Sequence, residues 1–297
     1  MEVFNDIIQL KNSTVALGFF DGVHIGHQAL IKKVVETAKQ HNTKSVLITF
    51  KKSPAETFGK DVKYITNNKE KEILISSFGV DYMIELSFNK DLMNMTALDY
   101  LKNIATNLHP YTIITGFNHT FGKNKVGTPK FLKEQSSKLN YDYIEIPAIV
   151  NNNEIVSSTI IKKYIQNGDV ENANQMLGHD FNISGEVIEG NKIGRTIGFP
   201  TANIVYPEHI IQIPFGVYRC NVKIQDKEYR GFLNYGIKPT IKENHKKPIA
   251  EVHIIDFDKD IYGEDIEISI LKKIRNEKKF SSIDELKKQI NEDLKQC

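Results

Sequence analysis

The sequence predicts an α/β fold class: a doubly wound parallel sheet, then a small antiparallel β-barrel closed by a terminal helix. Three observations carry that expectation. From residue 13 to about 178, short apolar runs alternate with amphipathic stretches of helical spacing, the rhythm of crossovers around a parallel sheet. After about residue 181, six strand-like runs follow one another with glycine and proline between them and no long helix, the pattern of a small barrel. From about residue 282, Ile283, Leu286, Ile290 and Leu294 return to helical spacing. The domain boundary is therefore placed at 180/181, giving domains 1–180 and 181–297.

At 297 residues the chain has room for two ordinary cores. Its 39 Lys plus Arg balance 37 Asp plus Glu, so nothing points to nucleic acid or a membrane surface as partner. The two cysteines, Cys220 and Cys297, lie far apart without metal spacing, which fits a reducing cytoplasm better than a disulfide framework. The first residues carry no basic segment leading into an apolar run, and nowhere do 18 apolar residues run together. A soluble cytoplasmic protein with small-molecule partners is expected. An oligomer is compatible with the sequence, which carries no signal for one.

The first strand, 13–19, opens into Gly18-Phe19-Phe20-Asp21-Gly22-Val23-His24-Ile25-Gly26-His27-Gln28. From His27 onward Leu30, Ile31, Val34, Val35 and Ala38 recur at helical spacing. The turn therefore delivers a helix N-terminus, whose backbone N–H groups attract anions. Gly18, Gly22 and Gly26 permit close backbone approach, and His24 and His27, three apart, share a face from which imidazoles can donate to phosphoryl oxygens. Helix capping and metal ligation are the alternatives, although no Cys or third His lies nearby to complete a zinc site.

The remaining elements of the first half follow in order. A strand at 45–50 ends in Thr49-Phe50, with Pro54 fixing the turn that walls the cleft opposite the histidines. Helices are expected at 67–78, 96–108 and 129–139, and strands at 80–86, 111–116 and 141–147. The Asn run at 151–153 reads as a turn, and helices at 157–167 and 169–177 end at Gly178. Gly116-Phe117-Asn118-His119-Thr120-Phe121-Gly122, trailed by Lys123 and Lys125, puts a polar loop at a strand C-terminus, where ligand loops of open α/β sheets belong. There Asn118 can read adenine or ribose and the lysines can meet phosphate; an ordinary surface loop is the alternative. Ser157-Ser158-Thr159, with Lys162 and Lys163 one turn on, forms a second anion cradle. Plain N-capping explains one of those three hydroxyls.

In the second half, Gly190 to Asn203 packs Gly190, Gly194, Arg195, Gly198, Thr201 and Asn203 into one stretch between strands. Such a loop can wrap nucleotide phosphates and offer oxygen ligands to Mg²⁺; a flexible barrel connection is the alternative. Asn234 and Thr240 fall in a polar loop, and Glu251, His253 and Ile255 alternate onto one side of a strand, expected to face inward. An inward carboxylate fits a general base that takes a hydroxyl proton during attack on a γ-phosphorus. An exposed carboxylate paired with a lysine is the alternative.

The combination of the 18–27 motif, Thr49-Phe50 with Pro54, Gly116-Phe117-Asn118 with Phe121-Gly122, and Ser157-Ser158-Thr159 resembles the adenylyltransferase module of the prokaryotic bifunctional riboflavin kinase/FMN adenylyltransferase (FAD synthetase) family. The resemblance implies that His24 and His27 contact the ATP phosphates and stabilise the transition state at the α-phosphorus. Gly18, Phe19, Asp21, Gly26, Asn118, Ser157, Ser158, Thr159 and Lys162 would complete that nucleotide site. Gly194-Arg195 through Pro200-Thr201-Ala202-Asn203, Phe215 to Tyr218, Asn234-Tyr235-Gly236, Pro239-Thr240, Glu251-Val252-His253 and the 275–280 segment resemble the riboflavin kinase module of the same family. Here the resemblance implies a six-stranded Greek-key barrel. Thr201 and Asn203 would hold Mg²⁺ and ATP phosphate, with Gly190, Gly194, Arg195 and Gly198 around the nucleotide. Glu251 would act as base for the riboflavin 5′-hydroxyl, and Asn234 and Arg275 would lie at the flavin.

Departures from the family pattern are Lys52 and Ser53 before Pro54, His119 in place of an aromatic, and Lys162 and Lys238 in place of arginines. The implied activity is bifunctional: riboflavin to FMN, then FMN to FAD with release of pyrophosphate, using ATP and Mg²⁺ in both. Two other readings compete: a different H-x-G-H adenylyltransferase with an appended barrel, and a non-catalytic flavin-binding module.

Overall fold

The computed structural model describes residues 1–190, 193–237 and 248–296. Lys238, Pro239, Thr240 and Cys297, singled out above, lie outside the described residues, as do Asn191 and Lys192. The chain divides into two compact units, 1–158 and 159–297.

The first unit runs β1 (Glu2–Phe4), β2 (Ser13–Leu17), α1 (Ile25–His41), β3 (Lys44–Phe50), α2 (Pro54–Thr57), α3 (Asn68–Ser76), β4 (Tyr82–Leu86), α4 (Lys90–Asn94), α5 (Ala97–Leu108), β5 (Pro110–Gly116), α6 (Pro129–Leu139), β6 (Asp142–Ile146), β7 (Val150–Asn151) and β8 (Glu154–Ile155). Six strands form one parallel sheet in the order β1-β4-β3-β2-β5-β6. Alternation along each strand splits the core between two faces. Val15, Leu17, Val46 and Ile48 pack with Leu101 and Ile104 of α5, while Ala16, Leu47 and Met83 pack with Ile31 and Val34 of α1. Helix starts are set by side-chain caps from Asn67, Thr96 and Thr128, the last followed by Pro129 at the first helical turn. Strand β1 was not foreseen, because three residues are too few for a period to register. The expected turn at 151–153 joins β7 to β8, with Asn152 and Asn153 both at positive φ.

The sheet order decides where a ligand belongs. From β2 the chain steps to β3 and β4 on one side, then returns to place β5 on the other. The crevice outside the C-terminal ends of β2 and β5 is thus a topological switch point. The histidine motif leaves β2 there, and the Asn118 loop leaves β5 there.

The second unit begins with α7 (Ser158–Asn167, entering from the last residue of the first unit) and α8 (Val170–Leu177), then β9 (Phe181–Glu186), α9 (Ile193–Thr196), β10 (Ala202–Val205), β11 (Gly216–Ile224), β12 (Lys227–Ile237), β13 (Pro248–Ile254), β14 (Asp265–Arg275) and α10 (Ile283–Leu294). The strands are antiparallel in the order β10-β13-β12-β11-β14-β9, and an Ile188–Asn203 bridge nearly closes the barrel. This is the six-stranded Greek-key barrel with its terminal helix. Helix α8 belongs to it by hydrogen bonding: Asn174 Nδ2 donates to Ile270 O (3.0 Å) and Asn174 Oδ1 accepts from Phe181 N–H (2.9 Å). Contacts thus divide the chain about twenty residues ahead of the change in sequence texture at 180/181.

The barrel interior is filled by Tyr218, Cys220, Leu233, Ala250 and Val252, all fully buried. That filling corrects one expectation. Ala250, Val252 and Ile254 point inward, so Glu251 and His253 occupy the outer face of β13. The outer face is itself covered, since Ile290 of α10 packs there on Val217 and Phe232. With both faces partly buried, alternation alone does not reveal which is the interior.

Candidate active sites

In the first unit the site is built on the turn after β2. Gly18 N–H bonds Ile48 O (3.1 Å), and Thr49 Oγ1 donates to Phe19 O (3.0 Å), tying the turn to β3. Phe20 takes φ 57° and Gly22 φ 77°, which tighten the chain before the helix. Asp21 is buried; its Oδ1 accepts from Ile65 N–H (2.8 Å), and its carbonyl accepts from Ser158 Oγ (3.0 Å). Its carboxylate braces the turn.

His24 is the N-cap of α1: its Nδ1 accepts from His27 N–H (3.2 Å), which assigns the proton of the neutral ring to Nε2. The two imidazoles stack with centroids 3.6 Å apart, and Phe20 meets His27 edge-on at 5.3 Å. Burial, and then the neighbouring His24, hold the His27 pKa well below the ordinary histidine value. His27 Nδ1 is buried with no hydrogen-bond partner among the described residues. A stacked pair of imidazoles at a helix N-terminus offers donors to an anion. Gly26 lies in the first turn beneath the His24 ring.

The walls come from the neighbouring strands. The Tyr64 ring lies 5.8 Å from that of Phe19, and its hydroxyl accepts from Ser53 N–H (3.0 Å) and donates to Glu56. Pro54 opens α2, capped by Ser53, so the turn after β3 stands where the sequence puts it. Beneath Phe19, Lys71 Nζ is 5.7 Å from the ring centroid, 2.8 Å from Glu85 Oε1 and 3.3 Å from Phe50 O, in a buried ion pair. On the other side of β2, Asn118 is exposed on the loop after β5. His119 stacks on Phe121 at 5.8 Å, with its Nε2 buried and without a hydrogen-bond partner among the described residues, and its pKa is lowered to about 4 by burial. Ser157 and Ser158 end the first unit, with Ser158 opening α7; Thr159 and Lys162 follow in the second.

In the barrel, the pairing register places four sequence-predicted residues in one transverse row on the outer face: Asn203 of β10 opposite Glu251 of β13, Glu251 opposite Asn234 of β12, Asn234 opposite Val217 of β11, and Val217 opposite Arg275 of β14. Thr201 Oγ1 donates to Glu251 Oε1 (2.9 Å). Two cavities meet at Thr201. One, of about 300 Å³, is lined by Asn234, Glu251 and Arg275 with the aromatic rings of Phe199, Phe232 and Phe280. The other, of about 290 Å³, is lined by Arg195, Pro200, Lys259 and Tyr262. Gly194 borders the first cavity, and Gly198 lies at φ 89° in the loop between α9 and β10.

Two glycines are required by close approach. A Cβ at Gly190 would lie 2.4 Å from Asn203 Nδ2, and one at Gly194 2.3 Å from the Phe199 carbonyl oxygen. Thr201 and Asn203 present the hard oxygen donors that Mg²⁺ takes, with Asn203 buried in the space Gly190 leaves.

Sequence reasoning missed Lys71, Glu85, Tyr64, Asp293 and the aromatic lining of the barrel cavity. Lys71 stands four residues before the buried Ile75 and so on the inward face of α3, a signal that its charge concealed. Asp293 follows Ile290 by three on the packed face of α10, the same kind of signal.

The sequence pattern of the FAD synthetase family matches residues 6–160, and that of the riboflavin kinase family residues 177–297. Proteins named bifunctional riboflavin kinase/FMN adenylyltransferase are similar along nearly the whole chain. One from Buchnera aphidicola subsp. Schizaphis graminum is 38% identical, covering 99% of this chain and 97% of its own. Those from Bacillus subtilis and Escherichia coli are 35% and 32% identical, covering 96% and 95% of this chain and 91% of their own. A solved Streptococcus pneumoniae structure described as a macrolide-efflux protein superposes with TM-score 0.90 at 31% identity, covering 99% of this chain and 97% of that one. Among the described residues here, no helix is long and apolar enough to cross a membrane.

Proposed function

We propose, for a chain that belongs to the bifunctional riboflavin kinase/FMN adenylyltransferase family, that its two sites act in sequence, with the work divided between residues 1–180 and 181–297. The enzyme makes FMN and ADP from riboflavin and ATP, and FAD and pyrophosphate from FMN and ATP. Membership of that family over nearly the whole length leaves no place for an unrelated appended barrel or a carrier without turnover.

In the kinase site the flavin occupies the cavity lined by Glu251, Asn234 and Arg275, and the nucleotide the one lined by Arg195. Thr201, at their junction, is where the γ-phosphoryl group crosses. Glu251, oriented by the Thr201 hydroxyl, takes the proton of the riboflavin 5′-hydroxyl as that oxygen attacks the γ-phosphorus. The bond to the β,γ-bridging oxygen breaks and ADP leaves. Thr201 and Asn203 would hold Mg²⁺, which when bound neutralises charge on the phosphates. The observation that carries this reading is the row Asn203–Glu251–Asn234–Arg275, four polar side chains on one face of a barrel whose interior is apolar.

In the adenylyltransferase site an FMN phosphate oxygen attacks the α-phosphorus of ATP and pyrophosphate departs. His24 and His27 donate to the oxygens on which charge builds, and the N-terminus of α1 adds its dipole. Gly18, Phe19 and Gly26 shape the turn, Asp21 braces it, and Asn118, Ser157 and Ser158 complete the part of the nucleotide site that the first unit supplies. Balanced charge supports small-molecule partners in the cytoplasm, with neither nucleic acid nor membrane involved.

Single substitutions test this division. His27→Asn should lower FAD formation from supplied FMN by about 10²–10³-fold while riboflavin phosphorylation keeps its rate. Glu251→Gln should lower FMN formation by about 10²–10⁴-fold while supplied FMN is still converted to FAD. Loss of both activities in either folded variant would contradict two separate sites.

A further inference from the structure

We propose that Asp293 is a positioning residue of riboflavin phosphorylation, holding the Arg275 guanidinium against the wall of the flavin cavity; this rests on the reading of that cavity given above. Arg275 Nε lies 3.0 and 3.1 Å from the two Asp293 oxygens, and Arg275 Nη2 donates to Oδ2 at 2.8 Å. The pair is a fork on a fork, the geometry that fixes a guanidinium plane. Gln289 Nε2 donates to Asp293 Oδ1 (3.1 Å), so the carboxylate is itself held from one turn back along α10.

Stability does not account for an acid at this place. Asp293 is fully buried and sits in the last turn of α10, where the negative end of the helix dipole disfavours a carboxylate. Its helix neighbours Ile290 and Leu294 pack apolar surface on Phe232 and Val217. Well-packed apolar groups often replace a buried ion pair at little cost in stability. What the carboxylate provides is orientation. Arg275 also donates from Nη1 to Asn276 O (3.2 Å) and stacks its guanidinium over Phe280 at 5.8 Å. Of the five N–H groups of a guanidinium, one on Nη1 and one on Nη2 then have no acceptor among the described residues, on a side chain that lines the cavity. They suit carbonyl or ring-nitrogen acceptors at the polar edge of a planar heterocycle whose faces meet Phe199, Phe232 and Phe280. Without Asp293 the guanidinium loses the two-point hold that fixes its plane and keeps only the Asn276 carbonyl and the Phe280 ring, so the ligand would have to complete its ordering on binding.

The test is steady-state kinetics of riboflavin phosphorylation by the full-length enzyme, with FAD formation from supplied FMN measured in the same preparations. Asp293→Asn should raise the riboflavin KM by about tenfold, the loss expected for a charged hydrogen bond, and leave the ATP KM and FAD formation within about twofold. Arg275→Ala should raise the riboflavin KM at least as much, and the double variant no further than Arg275→Ala alone. Arg275→Lys, which keeps the buried charge pair but loses the fork, should also raise it and guards against a misfolded Asp293→Asn. An unchanged riboflavin KM in Asp293→Asn or Arg275→Lys, additive effects in the double variant, or an equal fall in kcat with no change in KM would each overturn the proposal. Wild-type enzyme that makes no FMN would instead overturn the reading of the cavity itself.

Discussion

His119 shows how much a single buried imidazole fixes. Its pKa of about 4 in the folded protein lies below the ordinary 6.5. At any pH between those values the unfolded chain binds a proton that the folded one does not. Stability should therefore fall as pH drops from about 6.5 towards about 4 and stop falling, on this account, once both states are protonated. His27, held neutral by burial and by His24, adds to the same trend. Thermal unfolding across that range should show a shallower slope in His119→Phe than in the wild type; equal slopes would contradict the assignment. At neutral pH both rings are uncharged, so in the proposed adenylyl transfer His27 would serve as a neutral donor.

The same scale shows what the sequence could and could not reveal. The motifs that hold His24, His27, Glu251, Thr201 and Asn203 stood out because each is short and its backbone context is local, and the structure brings His24 to His27 and Thr201 and Asn203 to Glu251. Asp293 did not stand out, because a lone acid on an amphipathic helix reads as solvated surface, and only the approach of β14 gives it Arg275 as a partner.

At the scale of elements, strand and helix positions were read closely: α6 begins and ends where the spacing places it, β5 starts one residue before the expected 111–116, and the six strand-like runs are six barrel strands. Register was not legible. Alternation placed Glu251 and His253 on one face but not on the correct side, since α10 buries the outer face as the barrel buries the inner. Nor does any local pattern align Asn203, Glu251, Asn234 and Arg275, which depend on hairpin lengths and on the bulge between Val217 and Tyr218.

Two predictions belong at this scale. Gly194→Ala would drive a Cβ against the Phe199 carbonyl, whose own N–H bonds Gly194 O (2.8 Å). The displaced loop should lower kinase kcat/KM by about 10²-fold with FAD formation from FMN unchanged, as a shift of about 1 Å at a reacting centre does. Lys71→Met would leave Glu85 buried without its cation, joining α3 to β4 no longer. Chemical denaturation should show a loss of about 3–5 kcal/mol, largely recovered in Lys71→Met/Glu85→Leu. A single variant as stable as wild type would mean that the pair is solvated.

For the whole molecule, one chain carries two phosphoryl chemistries on two architectures. A parallel sheet gathers loops at a switch point, where stacked histidines suit attack at an α-phosphorus. A barrel instead lays its polar row across the outside of five strands, where a carboxylate suits deprotonation of a hydroxyl. The product of the second is the acceptor of the first. The proposal that these are separate sites, joined by FMN as the product of one and the substrate of the other, is met most directly by mixing. Equimolar His27→Asn and Glu251→Gln proteins are incubated with riboflavin, ATP and Mg²⁺, and the flavins are separated chromatographically over time. The account predicts that FMN accumulates first and FAD follows after a lag, whereas neither protein alone yields FAD from riboflavin at a comparable rate. A mixture that forms FMN but no more FAD than His27→Asn alone would contradict it.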